Sequence, residues 1–255
     1  MRRLLEIELV KLASRELGVS AMVYAGLLPA AMAGLQTLHL EAPSGSAGGN
    51  LLAFPDVWAN AAYVAGWIDY LMYVVVLQSI AQEYQWRTNR QNVLDGLTRT
   101  EYIVGKLALL LVASLASTVL VAVLAAGFGI AGGIAPGVAR FTGFLAVPLY
   151  LLHVLGYLVL AFLIATIARR SGAAVVAFIG YTLVAEPLAR VLVLPPAAAR
   201  WLPSHAFASL VPNPLFGYVG MRTAAPALAP TVALALAWIA GLAVIASWRF
   251  ARQDL

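Results

Sequence analysis

The sequence predicts an all-α polytopic membrane protein with six transmembrane helices. Of its 255 residues, 62% are hydrophobic and only 11% are charged, whereas a soluble domain is about 25% charged. The mean hydropathy of +0.89 agrees, and the apolar runs are rich in Ala, Leu, Val and Gly rather than alternating as in a barrel strand. This composition excludes a soluble enzyme, a disordered chain and a disulfide scaffold. With no Cys and three widely separated His residues, we also expect no metal site.

The chain begins with a polar stretch, residues 1–17, in which Glu8, Lys11 and Arg15 fall on one side of a helical wheel. Leu5 and Leu9 fall on the other side, which predicts an amphipathic helix in the cytoplasmic interface. A ragged extension of the first span is the alternative. Since a span needs about 20 mostly apolar residues, the six predicted spans are 18–38, 58–81, 102–130, 144–168, 173–194 and 227–248.

Lysine and arginine positions predict the orientation. Twelve of the 16 basic residues lie at the termini and around the 82–101 and 169–170 connections, and four lie on the other side. Because cytoplasmic segments are enriched in Lys and Arg, we expect both termini in the cytoplasm and the chain in a bacterial cytoplasmic (inner) membrane.

Residues 195–226 form a proline-rich external segment before the last span. Six prolines break any spanning helix, yet the segment is too apolar for a free loop. Short re-entrant or interfacial helices packed against protein are therefore predicted here.

The connection between the second and third spans, residues 82–101, carries an unusual concentration of charge. Thr98 and Glu101 have the capping-box spacing, which predicts a helix beginning at Thr98. Gly96 suits the left-handed end of a preceding short helix. An apolar tip flanked by both signs of charge indicates a docking site for another protein; a solvated loop that only sets topology is the alternative. The tip and its flanking charges are Val93, Leu94, Leu97, Arg90, Asp95 and Arg99.

Residues 87–106 resemble the first coupling segment of the type-2 permease family, the membrane subunits of ATP-binding-cassette (ABC) exporters. Glu83, Gly96, Thr98-Arg99 and Gly105-Lys106 match the family pattern, although many members have Pro where this chain has Asp95-Gly96. The tail 249–254 is similar to the family's basic-Phe-to-Asp ending. The resemblance implies that the ATPase-coupling residues are Glu83, Arg87, Arg90, Val93, Leu94, Asp95, Gly96, Leu97, Arg99 and Glu101.

The resemblance also implies a single permease domain, 1–255, with defined partners. These are cytosolic ABC ATPases that bind ATP and Mg, a second permease half in a homodimer or related heterodimer, membrane lipid and, in one variant, a periplasmic or membrane accessory protein. Gly105-Lys106 lacks the flanking residues of a P-loop, so we expect no nucleotide or other cofactor in this chain, no enzyme activity of its own, and no nucleic acid. The expected function is ATP-driven export of an amphipathic or hydrophobic substrate, or force transmission to a partner.

Four ionisable residues within or at the ends of spans are candidate pathway residues: Asp69, His153, Glu186 and Arg190. Placing an ionisable group inside a bilayer is energetically unfavourable, so such a residue indicates a functional role or a buried polar partner. A contact between Asp69 and His153 is one interpretation, and a lone, satisfied Asp69 near a water-filled cavity is favoured. Glu186 and Arg190, at i and i+4, are expected to neutralise each other; a substrate exit site is the alternative. Two other function classes remain open: a proton-coupled secondary transporter, and an intramembrane enzyme using Asp69 or His153.

Overall fold

The computed structural model describes residues 15–37, 51–86, 98–132, 137, 141–214 and 227–252. Every regular element in these ranges is helical, which confirms the all-α class for the described part of the chain. In chain order the helices are α1 (Arg15–Gln36), α2 (Val57–Gln85), α3 (Arg99–Ala131), α4 (Ala146–Ala168), α5 (Ser171–Val193), α6 (Pro196–Ala199), α7 (Pro203–Ala208) and α8 (Leu228–Ala251).

Five of these helices, α2, α3, α4, α5 and α8, are long and apolar enough to cross a membrane. Their ends lie within four residues of the predicted spans. The predicted first span is also a helix, α1, and the apolar stretch among its described residues, Met22–Gln36, is shorter than a span. The structure thus supports a membrane protein with five candidate spans, and the sixth span stays a prediction.

Helix α4 is the central element of the bundle. It packs against α2, α3, α5, α7 and α8, and Tyr150, Val154, Leu158 and Phe162 are fully buried along it. A helix that is apolar on all sides is expected in such a central position. The outer faces of α3, α5 and α8 instead expose large apolar side chains, as expected of surfaces that contact lipid.

The helix ends gather at two ends of the bundle, one of which is strongly basic. The Ser171 amide donates to Gln85 Oε1 at 3.5 Å, and Arg99 donates to the Ala251 carbonyl at 2.5 Å. These contacts bring the end of α2, the starts of α3 and α5 and the end of α8 together. We call this the basic end, since its described residues include Arg99, Arg169, Arg170, Arg249 and Arg252. The grouping agrees with the charge pattern, while the side of the membrane that it faces stays a prediction.

The start of α3 is confirmed as predicted. Thr98 is the N-cap, its hydroxyl accepts from the Glu101 amide at 3.2 Å, and Glu101 Oε2 accepts from the Thr98 amide at 2.8 Å. This reciprocal pair satisfies backbone donors that the first turn of a helix leaves free.

Helix α5 is not a regular α-helix. It widens into π-helical turns over Gly180–Ala185 and Ala189–Val193, on either side of Pro187. Proline has no amide hydrogen and its ring clashes with the carbonyl four residues earlier, so the hydrogen-bond ladder shifts around it. The sequence predicted the span without this irregularity.

Several predictions fall partly or wholly outside the described residues. They concern residues 1–14 of the interfacial helix and 215–226 of the external segment. In the described part of that segment, α6 and α7 are short helices, and their re-entrant placement stays a prediction. The coupling residues in this group are Arg87, Arg90, Val93, Leu94, Asp95, Gly96 and Leu97.

Candidate functional site

A buried ion pair lies at the basic end, close to the end of α2 and the start of α3. Lys106 Nζ lies 2.7 Å from Glu83 Oε1, and the Tyr102 hydroxyl donates to Glu83 Oε2 at 2.7 Å. Phe250 of α8 stacks on the Tyr102 ring, with centroids 4.6 Å apart. These four residues, which we call the Glu83 cluster, join α2, α3 and α8. Lys106 is only 1% exposed, so a carboxylate partner is needed to offset the desolvation of its charge.

The other two described coupling residues, Arg99 and Glu101, also have hydrogen-bond partners within the protein. Arg99 bonds the Ala251 carbonyl at the end of α8, and Glu101 belongs to the capping box. Both side chains therefore help to hold the start of α3. A change at either one would disturb this helix end as well as any contact with a partner.

Asp69 lies at the junction of α1, α2, α3 and α4. Tyr24 and Ser117 donate to its Oδ1 at 2.7 and 3.2 Å, and Tyr150 donates to its Oδ2 at 2.5 Å. The serine hydroxyl also lies 2.7 Å from Tyr24 and 2.8 Å from Tyr150. Because one hydroxyl comes from each of the other three helices, this Asp69 cluster can lock the four helices in register. It supports the interpretation of a buried carboxyl satisfied by neighbouring groups.

The structure does not join His153 to Asp69. His153 Nδ1 lies 2.9 Å from the carbonyl oxygen of Phe207 in α7. The close approach of α7 depends on Gly156, because a Cβ there would lie 2.5 Å from the Phe207 ring. His153 is thus held by the segment that follows α5 and not by the Asp69 cluster.

Glu186 is buried and bonds to α7 instead of to Arg190. Its two carboxylate oxygens accept from the Ser204 and His205 amides at 3.1 and 2.7 Å. No ion pair within 4.0 Å joins it to Arg190 among the described residues, so the expected mutual neutralisation is not seen. Burial, followed by the positive charge of Arg190, lowers the pKa of His205 below its ordinary value, which keeps that imidazole neutral near pH 7.

A pocket of about 380 Å³ lies between α2, α4, α5 and α7. Aromatic side chains form much of its wall, and it is shared by three of the predicted candidates. The lining includes Tyr63, Trp67, Tyr70, Tyr157, His153, Glu186 and Arg190. The structure therefore brings His153, Glu186 and Arg190 to one pocket and leaves Asp69 in a separate cluster.

In comparisons with known proteins, no family model matches this chain and no curated protein matches it. Within the described residues, no group of three or more His, Asp or Glu side chains could hold a metal ion. The function must therefore be argued from the clusters, the pocket and the resemblance in the sequence.

Sequence reasoning missed most of the partner residues. Tyr24, Ser117 and Tyr150 read as ordinary residues of apolar spans, and nothing in their spacing points to Asp69. Lys106 did carry a usable signal, because a lysine inside a span is expected to pair with an acid. No sequence signal pointed to Ser204, because its position in the pocket depends on how α7 packs against α4.

Proposed function

We propose that this chain is the membrane-spanning subunit of an ABC transporter. A separate cytosolic ATPase would hydrolyse ATP, and this subunit would couple that hydrolysis to the export of an amphipathic or hydrophobic substrate. The resemblance of residues 87–106 to a coupling segment supports the proposal. The observation that carries it furthest is the Glu83 cluster, which lies at the base of that segment and ties its two flanking helices to α8.

This arrangement suits the transmission of force. A push on residues 87–97 would act on the end of α2 and the start of α3, which a buried ion pair and the Arg99 contact fasten to each other and to α8. The helices would then move together, because packed helices shift as rigid elements. The same mechanics would serve a variant in which force passes to a membrane or periplasmic partner.

The proposal places the basic end in the cytoplasm of a bacterium, where the ATPase is, and places both termini there as well. It further includes a second permease half, identical or related, so that the path forms between the two halves. Closed symmetric pairs are the commonest arrangement of homo-oligomers.

The alternatives use Asp69 or His153 as proton-carrying or acid–base groups. Asp69 already accepts hydrogen bonds from three hydroxyls, and the carbonyl of Phe207 fixes His153. These partners favour a structural role for Asp69 and fix the ring of His153 through Nδ1, so the proton-coupled transporter and the intramembrane enzyme are the weaker proposals.

The test is co-purification of this chain with a co-expressed cytosolic ABC ATPase from the same organism. We expect the double variant Leu94→Ala/Leu97→Ala to lose ATPase binding by about thirtyfold, since truncating an interface anchor costs about 2 kcal/mol. Arg90→Glu should weaken binding further, because it also reverses a charge at the contact. Arg90 is a cleaner probe than Arg99, whose side chain holds the end of α8.

Arg170→Glu is the matched control, because it reverses a charge at the same end of the bundle but outside the connection. It should retain the ATPase. Wild-type binding and ATP hydrolysis in both the Leu94/Leu97 and Arg90 variants would contradict the docking role, and the connection would then serve only to set topology.

A further inference from the structure

The pocket between α2, α4, α5 and α7 contains two buried polar atoms that have no hydrogen-bond partner among the residues that the structure describes. They are His153 Nε2 and Ser204 Oγ, whose residues are only 7% and 5% exposed. Both residues line the pocket. An unpaired buried polar atom is unfavourable by about 1–3 kcal/mol, so these two atoms indicate where a ligand would bond.

The tautomer of His153 determines what that ligand must offer. The carbonyl of Phe207 can only accept a hydrogen bond, so Nδ1 must carry the proton that it receives. In a neutral imidazole Nε2 is then a bare acceptor. The group that meets Nε2 must therefore donate, as a hydroxyl does, while the Ser204 hydroxyl can donate or accept.

The charges of the lining favour a neutral ligand. Glu186 and Arg190 are its two charged side chains, and their formal charges cancel. The Glu186 carboxylate is already bonded by two backbone amides of α7, which leaves it less able to attract a cation. An anion would be repelled by the unprotonated Nε2 of His153, and a protonated amine would be repelled by the positive charge of Arg190.

The pocket opens on the side of the bundle. Trp67 and Leu183, which line it, are 58% and 42% exposed. Trp67 is the eleventh residue of α2, about 15 Å along the helix from its start at 1.5 Å per residue. An opening at that depth would face the bilayer if α2 crosses the membrane, while Arg190, also exposed in the lining, lies near the end of α5. The volume of about 380 Å³ lies within the range of small-molecule sites, which is about 300–1,000 Å³.

We propose that this pocket binds a neutral, hydroxyl-bearing amphiphile that enters from the bilayer. One hydroxyl donates to His153 Nε2, and Ser204 Oγ bonds the same or a neighbouring hydroxyl. The aromatic wall covers the first part of the apolar chain, and the remaining chain leaves through the side opening. Glu186 and His153 both hold α7 in place beside the pocket. The proposal does not require an ATPase partner.

The experiment uses the full chain in phosphatidylcholine nanodiscs, without ATPase. A photoreactive monoacylglycerol is crosslinked to the protein and competed with unlabelled monooleoylglycerol, and peptide mapping locates the label. Methyl oleate has the same chain but no hydroxyl, so it should compete at least tenfold less well. This readout is independent of the ATPase binding that tests the proposed function.

Two variants test the polar atoms. His153→Asn places an amide near Nδ1 but no atom at Nε2, and Ser204→Ala removes Oγ; each should weaken competition by about tenfold, one lost hydrogen bond. Ser114→Ala, a buried serine of α3 outside the pocket, should leave competition unchanged. Thermal unfolding of each variant checks that it is folded.

Gly66→Ala provides a test that leaves both polar atoms in place. Its new Cβ would lie 3.2 Å from His153 Nε2, so it should block access to that atom and weaken competition. The proposal is overturned if monooleoylglycerol does not compete, if methyl oleate competes equally, or if folded His153→Asn and Ser204→Ala both behave as wild type.

Discussion

Replacing Lys106 by methionine should strongly destabilise the protein. The change keeps the length of the side chain but removes the buried positive charge that lies 2.7 Å from Glu83 Oε1. Removing one partner of a buried ion pair costs about 3–5 kcal/mol. We expect the lower half of that range, because Tyr102 still donates to Glu83 Oε2 at 2.7 Å. For a chain of this size, about 3 kcal/mol lowers the unfolding temperature by about 6–12 °C.

The double variant Glu83→Gln/Lys106→Met should recover most of this loss. The glutamine oxygen can still accept from Tyr102, and no unpaired charge remains in the interior. Replacing both members of a buried pair is often neutral, so the free energy of unfolding should return to within about 1 kcal/mol of wild type.

The assay is thermal unfolding of the purified chain in detergent, followed by tryptophan fluorescence. Arg170→Met, at the same end of the bundle, is the control and should change stability by no more than about 0.5 kcal/mol. If Lys106→Met unfolds at the wild-type temperature, the ion pair does not stabilise the fold. If the double variant only adds the effects of its two changes, the two residues are not energetically coupled.

Two further predictions address the Asp69 cluster and the orientation. Tyr150→Phe removes two hydrogen bonds of the hydroxyl, one to Asp69 and one to Ser117. A side-chain hydrogen bond between membrane helices contributes about 0.6 kcal/mol on average and at most about 1.7 kcal/mol. The variant should therefore lower the free energy of unfolding by about 1–3 kcal/mol. Tyr63→Phe, at a partly exposed pocket position, should change it far less, and equal effects would count against the cluster. Single cysteines at Ser46 and Gln253, in a chain without other Cys, test the orientation with an impermeant thiol reagent. Ser46→Cys should be labelled in intact cells, and Gln253→Cys only after the cells are permeabilised; labelling of Gln253→Cys in intact cells would show that the predicted topology is wrong.

The sequence determined the helices because the signals for them are local. Apolar runs of spanning length predicted α2, α3, α4, α5 and α8 to within four residues at each end. The Thr98 and Glu101 spacing predicted the start of α3, since a capping box involves residues of one turn. The distribution of arginines predicted which helix ends lie together.

Only the tertiary structure decided which side chains meet. Asp69 and His153, the predicted pathway candidates of α2 and α4, are both buried, and their partners lie 45 to 81 residues away for Asp69 and 54 for His153. Those pairings depend on the rotation and register of each helix against its neighbours, which apolar composition alone does not encode. Glu186 illustrates the same limit. Its carboxylate accepts hydrogen bonds from two backbone amides of α7 and forms no ion pair with Arg190, its neighbour at i+4. The pocket exists because Gly156 admits Phe207 and brings α7 back onto α4, a contact between segments that the chain brings together only when it folds.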